Sequence, residues 1–299
     1  MILLVSIIVI GKGAVWLVDA AARVAKHFGI SELVIGLTVV AFGTSAPEFG
    51  VTILAAIRGM GDISVGNIVG SNIFNLGFIL GGTAIIHSLK TSRTIVFRDG
   101  FFLLFGGILL SVFLWDLTLS KIEGIVLFTL LVLYLLYLYF KKETIETEEP
   151  THAMYRWDPT LLFVGIGLVI VGSHFLVESA VSIARFMGVS DWVIGATIIA
   201  AGTSAPEFAT SLTAAMKSRY GMSVGNLIGS DIFNLFGVLG VAGMMRNLSV
   251  GHDAHINLII LSFMIAVVLI FMRTGWVVSR KEGIILVMIG LLRWIYSFS

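Results

Sequence analysis

Cysteine is absent from this chain of 299 residues, and charged residues make up only 12% of it. Without thiols the protein has no disulfides, no thiolate metal sites and no thiol catalysis. An ordinary soluble domain is about one-quarter charged, whereas here 58% of the residues are hydrophobic and the mean hydropathy is +1.03. Apolar runs of about 20 residues, long enough to cross a bilayer, follow one another with short polar breaks. The composition therefore excludes a water-soluble fold and predicts an all-α polytopic protein of the cell membrane.

Further absences narrow the function. A net charge of +1 provides no basic face for nucleic acid. The first apolar run has neither a basic lead-in nor a small-residue cleavage site, so we expect a retained first helix and not a signal peptide. The protease-like G-x-G-D that ends at Asp62 lies in a predicted loop without a second motif to match it. We therefore expect no enzyme activity, no cofactor and no protein partner.

A repeat with a constant offset of 159 residues runs along the chain. The heptapeptide GTSAPEF occurs at Gly43 to Phe49 and again at Gly202 to Phe208. The same offset aligns SVGNIVGSNIFNLG with SVGNLIGSDIFNLF, and no gap is needed from the first apolar run to the last. Composition alone would not produce this identity, so we interpret residues 1–140 and 160–299 as two copies of one unit.

Each copy contains five candidate membrane spans. In the first copy they cover about residues 2–22, 33–57, 63–87, 100–115 and 122–140, and those of the second follow at the same offset. Because five is odd, the second copy must be inverted relative to the first. Most basic loop residues lie on one side if both termini are outside, as the positive-inside rule requires. We therefore predict ten transmembrane helices in two inverted five-helix repeats, with both termini outside.

The polar stretch at residues 141–159 is predicted to be a cytoplasmic linker between the two copies. It is too short to fold as a domain. A solvated loop is the favoured interpretation. The alternative is a regulatory ion site built from Glu143, Glu146, Glu148 and Glu149.

The GTSAPEF segments place a proline and a glutamate inside an apolar span. In a helix, Pro47 cannot donate to the carbonyl of Gly43 and its ring strains that turn, so we predict a broken helix at each segment. Broken backbone at membrane depth must be buried in protein or line a wet cavity. The hydroxyls of Thr44 and Ser45, the released carbonyls and the carboxylate of Glu48 would then converge. Such hard oxygen ligands suit Na⁺ or Ca²⁺.

A structural alternative for the same segment is a capping box, in which Ser45 and Glu48 close the start of a new half-helix. Against it, a carboxylate in mid-span costs roughly 2.5–3.5 kcal/mol on insertion scales, and a cap could use glutamine. The segment also recurs in the inverted copy, so we expect Glu48 and Glu207 to meet near the midplane across a pseudo-two-fold axis. We therefore favour a cation site.

The second repeated motif adds uncharged oxygen atoms. Ser71 and Asn75 are four residues apart and share one helix face, as do Ser230 and Asn234. Their hydroxyl and amide oxygens would extend the set of ligands without adding charge. The glycines of the motif follow the small-xxx-small pattern that is typical of close helix packing.

For the other polar groups within the spans, a structural role is generally the first interpretation. Asp19 lies one turn from Arg23 and is expected to form an interfacial ion pair, with an ion-access carboxylate as the alternative for it and for its repeat mate Glu178. His174 is expected to be a core histidine, with a proton relay as the alternative. Lys12 is expected to snorkel to the interface or to pair. Asp231, where the first copy has an asparagine, is equally compatible with a tuning role and with a rim position.

The duplicated G-T-S-A-P-E and G-N-x-x-G-S-x-I-x-N segments resemble the two α-repeats of the calcium/cation antiporter superfamily, and the resemblance covers both halves of the chain. It implies ten helices in two inverted halves around a central cation site. The ligands that it implies are Thr44, Ser45, Glu48, Ser71 and Asn75 from the first half and Thr203, Ser204, Glu207, Ser230 and Asn234 from the second.

The counter-ion is open between a proton and sodium. Sodium/calcium exchangers of this superfamily commonly carry an aspartate at the position of Asn234, so this chain is left with two central carboxylates, Glu48 and Glu207. One Ca²⁺ neutralises both, and after its release two buried carboxylates would each bind a proton. We therefore predict an antiporter that exports Ca²⁺ in exchange for H⁺ by alternating access. Na⁺/Ca²⁺ exchange is the alternative, and a cation channel is a remote one because an inverted repeat favours rocking over a continuous pore.

Overall fold

The fold was obtained as a computed structural model, and it describes residues 2–141, 153–188 and 200–296. In these ranges the chain is almost entirely helical. The helices are α1 (Ile2–Phe28), α2 (Glu32–Thr44), α3 (Ala46–Ile57), α4 (Gly61–Ile86), α5 (Ile95–Asp116), α6 (Lys121–Phe140), α7 (Asp158–Phe186), α8 (Ala200–Thr203), α9 (Ala205–Met216), α10 (Tyr220–Met245), α11 (Asp253–Arg273) and α12 (Arg280–Tyr296). Four two-residue strands are β1 (Leu89–Lys90), β2 (Thr118–Leu119), β3 (Leu248–Ser249) and β4 (Val277–Val278).

Seven of the helices are long and apolar enough to cross a membrane, judged by length and composition. An eighth span results if the bent pair α2 and α3 counts as one. Of the two remaining predicted spans, the one that ends in α9 lies partly outside the described residues, and α12 has 17 residues. The described residues therefore form a polytopic helical membrane protein, and the ten-helix arrangement stays a prediction. The linker glutamates Glu143, Glu146, Glu148 and Glu149 lie outside the described residues.

The chain divides into two compact units, and each of them contains parts of both repeats. Unit 1 comprises Met1–Pro47 and Glu143–Asn226, and unit 2 comprises Glu48–Lys142 and Leu227–Ser299. The compact units therefore do not coincide with the sequence repeats. Each unit combines helices from both copies, so neither copy forms a compact unit alone.

In unit 1, α1 packs along α7 through small residues. An added Cβ at Gly13 would lie 2.8 Å from Cβ of Leu168, and one at Gly172 would lie 2.7 Å from Cγ1 of Ile10. Gly13 and Gly172 are repeat mates, so the same close approach occurs twice in this helix pair. Alanines on α1 and Leu17 extend the contact into a buried apolar cluster. Small residues at the interface let two membrane helices approach closely.

Ion pairs join the polar ends of helices within unit 1. Arg23 binds both carboxylate oxygens of Asp158, with nitrogen to oxygen distances of 2.7 and 2.9 Å. Asp19 does form the expected ion pair, but its partner is Lys217, at 2.6 Å, and not Arg23. The sequence spacing suggested Arg23 because the two residues share a helix face, whereas folding brings Lys217 from the end of α9. Arg219 pairs with Glu32 in the same unit.

In unit 2, the short strands pair according to the repeat. β1 is antiparallel to β4, and β2 is antiparallel to β3. Since β3 and β4 are the repeat mates of β1 and β2, the two pairings are equivalent. Equivalent capping boxes follow, formed by Ser120 with Glu123 before α6 and by Ser279 with Glu282 before α12. Each capping box satisfies free backbone N–H groups at the start of a helix that follows a loop.

Glycines again allow close packing in unit 2. A Cβ at Gly124 of α6 would lie 2.6 Å from the backbone nitrogen of Met244, and a Cβ at Gly283 of α12 would lie 2.6 Å from the carbonyl oxygen of Gly81. Gly124 and Gly283 are repeat mates. The last helix of each copy therefore docks against the end of a helix from the other copy, α10 or α4.

The packing of α1 on α7 can be tested with two alanine substitutions. A Cβ at Gly165 would lie 2.7 Å from the backbone nitrogen of Leu17, whereas a Cβ at Gly167 has no neighbour within 4 Å. We expect Gly165→Ala to reduce the stability by roughly 1–3 kcal/mol, because backbone atoms must separate, and Gly167→Ala to leave it unchanged. Thermal unfolding in detergent measures both, and equal melting temperatures for the two variants would contradict the packing.

Candidate functional site

Both GTSAPEF segments interrupt a helix at their serine. In the first copy α2 ends at Thr44 and α3 begins at Ala46, and the two helices are bent by 51°. In the second copy α8 ends at Thr203 and α9 begins at Ala205. The intervening Ser45 and Ser204 share nearly the same backbone angles, φ −79° with ψ 7° and φ −88° with ψ 9°. The proline falls in the first turn of the new helix, where no N–H is required.

The breaks place Glu48 and Glu207 in the first turns of α3 and α9. Both residues are fully buried, with 0% relative exposure. A helix N-terminus carries partial positive charge from its free N–H groups, which favours a carboxylate there. The side chain of Ser204 makes no cap hydrogen bond at the start of α9, and the capping-box alternative for Ser45 and Glu48 stays a prediction.

Within unit 1, Glu207 is held by residues from both copies. The hydroxyl of Ser45 donates to Oε1 of Glu207 at 3.2 Å. Oγ1 of the neighbouring Thr44 lies 3.2 Å from Oδ1 of Asn226 and 3.3 Å from the carbonyl oxygen of Ala41. The predicted ligands Thr44, Ser45 and Glu207 therefore do come together, and Asn226 joins them.

The role of Asn226 was missed in the sequence. Its amide donates to the hydroxyl of Ser211 at 2.9 Å and to the backbone carbonyl of Glu207 at 3.5 Å. Ser223, one turn before Asn226, donates to the carbonyl of Ser211 at 2.8 Å. α10 is thereby fastened to the first two turns of α9, and the backbone that carries Glu207 is held in place.

Unit 2 contains the equivalent contacts around Glu48. The amide of Asn67 donates to the hydroxyl of Thr52 at 2.9 Å and to the backbone carbonyl of Glu48 at 3.3 Å. Ser64 donates to the carbonyl of Thr52 at 3.1 Å. The signal in the sequence was available, since Asn67 and Asn226 are identical amides at equivalent positions inside apolar spans.

A second polar group in unit 2 joins α4 to α10. The amide of Asn75 donates to Oδ1 of Asp231 at 2.9 Å, and the amide of Asn234 donates to Oδ1 of Asn72 at 2.9 Å. Asn75 and Asn234 are repeat mates, as are Asn72 and Asp231, so the two contacts are equivalent. Asn72 also donates to the backbone carbonyl of Asp231 at 3.0 Å. These four side chains form what we call the amide network.

The amide network is buried in mid-helix, and each of its residues is at most 1% exposed. Asp231 is therefore a buried carboxylate and not a rim residue. A wider, π-helical turn begins at Asn75 in α4 and at Phe233 in α10. Turns of this kind are frequent at functional sites.

Two oxygen atoms of the amide network are left as potential ligands. Oδ1 of Asn75 and Oδ1 of Asn234 are buried and accept no hydrogen bond from the described part of the chain. Both amides are oriented by the bonds that their nitrogen atoms donate to Asp231 and Asn72, so each Oδ1 is held away from those acceptors. A buried carbonyl oxygen that lacks a donor is well suited to bind a cation.

The remaining predicted ligands lie next to these groups. Ser71 and Ser230 are buried one turn before Asn75 and Asn234. Thr203 and Ser204 immediately precede α9, and Ser204 is fully buried. No cluster of three or more His, Cys, Asp or Glu side chains that could hold a metal ion occurs in the described ranges. The available donors are thus hydroxyl and amide oxygens beside single carboxylates, a hard set that suits Na⁺ or Ca²⁺.

Three further polar groups lie outside the site, and one of them differs from its expectation. His174 is exposed on α7, so its interpretation as a core histidine is wrong. It follows Gly172 and Ser173, which are buried, and the helical rotation turns it away from α1. Lys12 is exposed, as expected of a snorkelling side chain, and Glu178 is exposed as well.

Buried carboxylates and amides in apolar helices are a set of oxygen donors that suits hard cations. A family model described as sodium/calcium exchanger protein matches residues 1–140 and 157–294, and this chain belongs to that family. The resemblance to calcium/cation antiporters is thereby confirmed. The family consists of exchangers and not of enzymes.

Individual relatives span nearly the whole chain. The sodium/calcium exchanger MaX1 of Methanosarcina acetivorans is 32% identical, over 96% of this chain and 95% of the relative. The inner membrane protein YrbG of Escherichia coli is 32% identical, over 94% and 90%. A solved structure of the sodium-calcium exchanger NCX_Mj has a TM-score of 0.88 at 32% identity and covers 100% of this chain and 98% of its own.

The asparagine that supports Glu207 can be tested through stability. Asn226→Ala removes the donor to Ser211 and to the carbonyl of Glu207, and we expect a loss of roughly 1–3 kcal/mol because buried acceptors lose their partner. The control is Asn247→Ala. Asn247 is exposed and accepts one bond from the backbone of Lys121, so its loss should cost at most about 0.5 kcal/mol. Equal melting temperatures of the two variants in detergent would contradict the supporting role.

Proposed function

We propose that the protein is a secondary antiporter that moves Ca²⁺ across the cell membrane in exchange for a monovalent cation. The observation that carries the proposal is the pair of fully buried glutamates, Glu48 and Glu207, each in the first turn of a helix that follows a break. An ion gradient drives such exchange, so no cofactor is needed.

The cost of burying the two carboxylates supports their role as ligands. A charged side chain at membrane depth is expensive and is retained where it binds ions or substrates. A bound divalent cation offsets that cost, and the hydroxyl of Ser45, which donates to Oε1 of Glu207, orients the carboxylate. Further ligands in the proposal are the oxygens of Thr44, Ser45, Ser71, Asn75, Thr203, Ser204, Ser230 and Asn234.

The transport cycle follows from the repeat. Two inverted copies of five spans would place both termini outside and the linker in the cytoplasm, and would relate Glu48 to Glu207 by a pseudo-two-fold axis. The pairing of these glutamates in one site is inferred from the repeat alone. Because inverted copies can exchange conformations, a site built from both opens to one side at a time.

Sodium is the favoured counter-ion. The expectation of proton exchange depended on two central carboxylates, whereas Asp231 is a third buried acidic side chain and accepts a hydrogen bond from the proposed ligand Asn75. A third acid near the ligands favours sodium, because three sodium ions can then replace one Ca²⁺. The names of MaX1 and NCX_Mj, both sodium/calcium exchangers, agree with this choice. Proton exchange stays as the second candidate.

Reconstituted vesicles separate the two counter-ions. We expect an imposed sodium gradient to drive Ca²⁺ uptake against its own gradient, and an imposed pH gradient without sodium to drive none. The measurement is the Ca²⁺ signal of a dye trapped inside the vesicles. Uptake that follows the pH gradient and ignores sodium would reverse the assignment of the counter-ion while leaving Ca²⁺ antiport intact.

The two glutamates are tested by amide substitution. Glu48→Gln and Glu207→Gln keep the side-chain shape and remove the charge, so each is expected to reduce exchange at least about tenfold, as the loss of a buried ligand charge costs several kcal/mol. Glu178→Gln is the matched control, because Glu178 is exposed on α7. If both buried variants transport like the control, the site has been misplaced.

A further inference from the structure

A groove runs between α5 and α11 on the surface of unit 2. Its volume is about 440 Å³, which lies within the range of roughly 300–1,000 Å³ that is usual for small-molecule sites. Its walls are largely apolar and include Phe97 and Phe101 of α5 and Leu269 and Ile270 of α11. Both phenylalanines and Ile270 are exposed. Because α5 and α11 are each long and apolar enough to span a membrane, the groove lies on a surface that lipid chains can cover.

Two arginines lie at one end of this groove. Arg273 lines it at the end of α11, and its guanidinium lies over the ring of Trp276, 4.7 Å from the ring centroid. The guanidinium of Arg93 lies over the ring of Phe97 at 5.7 Å. The two rings meet edge to face, with their centroids 6.3 Å apart. These contacts form one continuous row, which we call the arginine-aromatic row, in the order Arg93, Phe97, Trp276, Arg273.

The arginine-aromatic row is held together by the loop that leads into α5. The backbone N–H of Thr91 donates to the carbonyl of Trp276 at 2.8 Å, and the hydroxyl of Thr91 donates to the carbonyl of Met272 at 2.7 Å. The antiparallel pairing of β1 with β4 lies directly beside these bonds. Two loops that are far apart in the sequence are thereby joined, so Arg93 and Arg273 lie at the same end of the groove.

The two arginines of the row retain their charge for an external partner. Among the described residues neither forms an ion pair with an acidic side chain, and each contacts an aromatic ring instead. A ring face attracts a cation but supplies no full negative charge. Both arginine side chains are exposed. A guanidinium binds a phosphate group through two parallel hydrogen bonds, so the row is suited to a phosphate at the mouth of an apolar groove.

The repeat shows that this end of the helix pair is distinctive. Since α5 and α11 belong to equivalent spans of the two copies, the mates of Arg93 and Arg273 are His252 and Leu114, near the opposite ends of the two helices. The guanidinium groups therefore occur at one end only. The proposed orientation of the chain places that end at the cytoplasmic leaflet, and it is this leaflet that carries anionic lipids.

We propose that the groove between α5 and α11 binds a membrane phospholipid with an anionic headgroup. An acyl chain lies along the apolar walls, and the headgroup phosphate binds Arg93 and Arg273. The site is confined to unit 2 and uses none of the proposed cation ligands. The inference therefore requires that α5 and α11 lie in a bilayer, and it does not require the proposed exchange of Ca²⁺.

Lipid titration into delipidated protein, followed by native mass spectrometry, tests the choice of headgroup. The probes are phosphatidylglycerol, which is anionic, and phosphatidylcholine with the same acyl chains, which has no net charge. We expect the native protein to bind phosphatidylglycerol more tightly. The double substitution Arg93→Gln with Arg273→Gln is expected to weaken that binding about thirtyfold, because each basic residue near a membrane surface contributes a factor of about five. Equal affinity of the native protein for both lipids would overturn the inference.

The matched control is Arg58→Gln with Lys121→Gln, which removes the same amount of charge. Both residues are exposed in unit 2 and neither lines the groove. We expect this variant to bind phosphatidylglycerol like the native protein. A loss as large as that of the arginine-aromatic variant would mean that net charge alone attracts the lipid, and would contradict the site.

A third variant tests the apolar part of the groove without changing charge. Ala266 lines the groove on α11, so Ala266→Phe places a ring in the space that the acyl chain needs. We expect the preferred binding of phosphatidylglycerol to be lost. Unchanged binding would place the lipid elsewhere and overturn the inference. Together with the comparison of the two lipids on the native protein, this variant also decides the question if the double arginine variant does not fold.

Other occupants of the groove give different outcomes. Inorganic phosphate that displaces phosphatidylglycerol at equal concentration would indicate a site for soluble anions. A complex of two chains that excludes phosphatidylglycerol would indicate that a second copy covers the groove. Either result would overturn the inference. Failure of the proposed function is distinguishable, because Ca²⁺ uptake is measured in vesicles and lipid binding is measured without any ion gradient.

Discussion

The burial of carboxylates in an apolar environment is the constraint on which the rest of this structure depends. Elsewhere in the protein, buried acids are paired with cationic side chains: Asp158 binds Arg23, and Asp99 binds Arg98. Ser45 donates its hydroxyl to Glu207, and Asn75 donates its amide to Asp231. Such hydrogen bonds fix the orientation of a carboxylate.

The surrounding structure holds these groups in place through contacts that occur twice. Asn67 and Asn226 brace the backbone of the two glutamates, and Asn75 and Asn234 donate into the amide network. Glycines such as Gly124 and Gly283 let α6 and α12 pack closely against α10 and α4. Because each contact has a counterpart 159 residues away, one packing solution serves both copies. The exception is Asp231, a carboxylate at the position where the first copy has the amide of Asn72.

Much of the fold could be predicted from the sequence. The apolar runs, the constant offset and the prolines at GTSAPEF determined that the chain crosses the membrane repeatedly, and they indicated where its helices break. Hydropathy and proline stereochemistry act over a few residues, so a linear sequence contains them. Most of the candidate ligands could also be named from the sequence. Hydroxyls and carboxylates in the middle of an apolar span are costly to bury, so their presence there indicates a function. The family resemblance, which depends on the same motifs, was predicted as well.

Only the tertiary structure decided which polar groups meet. In the structure, Asp19 pairs with Lys217 and not with Arg23, and His174 is exposed. Asp231, for which the sequence left two interpretations open, belongs to the buried amide network. The tertiary structure also divided the chain into units that take helices from both copies, although the sequence repeats are continuous. These features depend on contacts between residues more than a hundred positions apart. Spacing along one helix cannot specify such contacts, because they are set by how close two helices pack and by which faces they turn to each other.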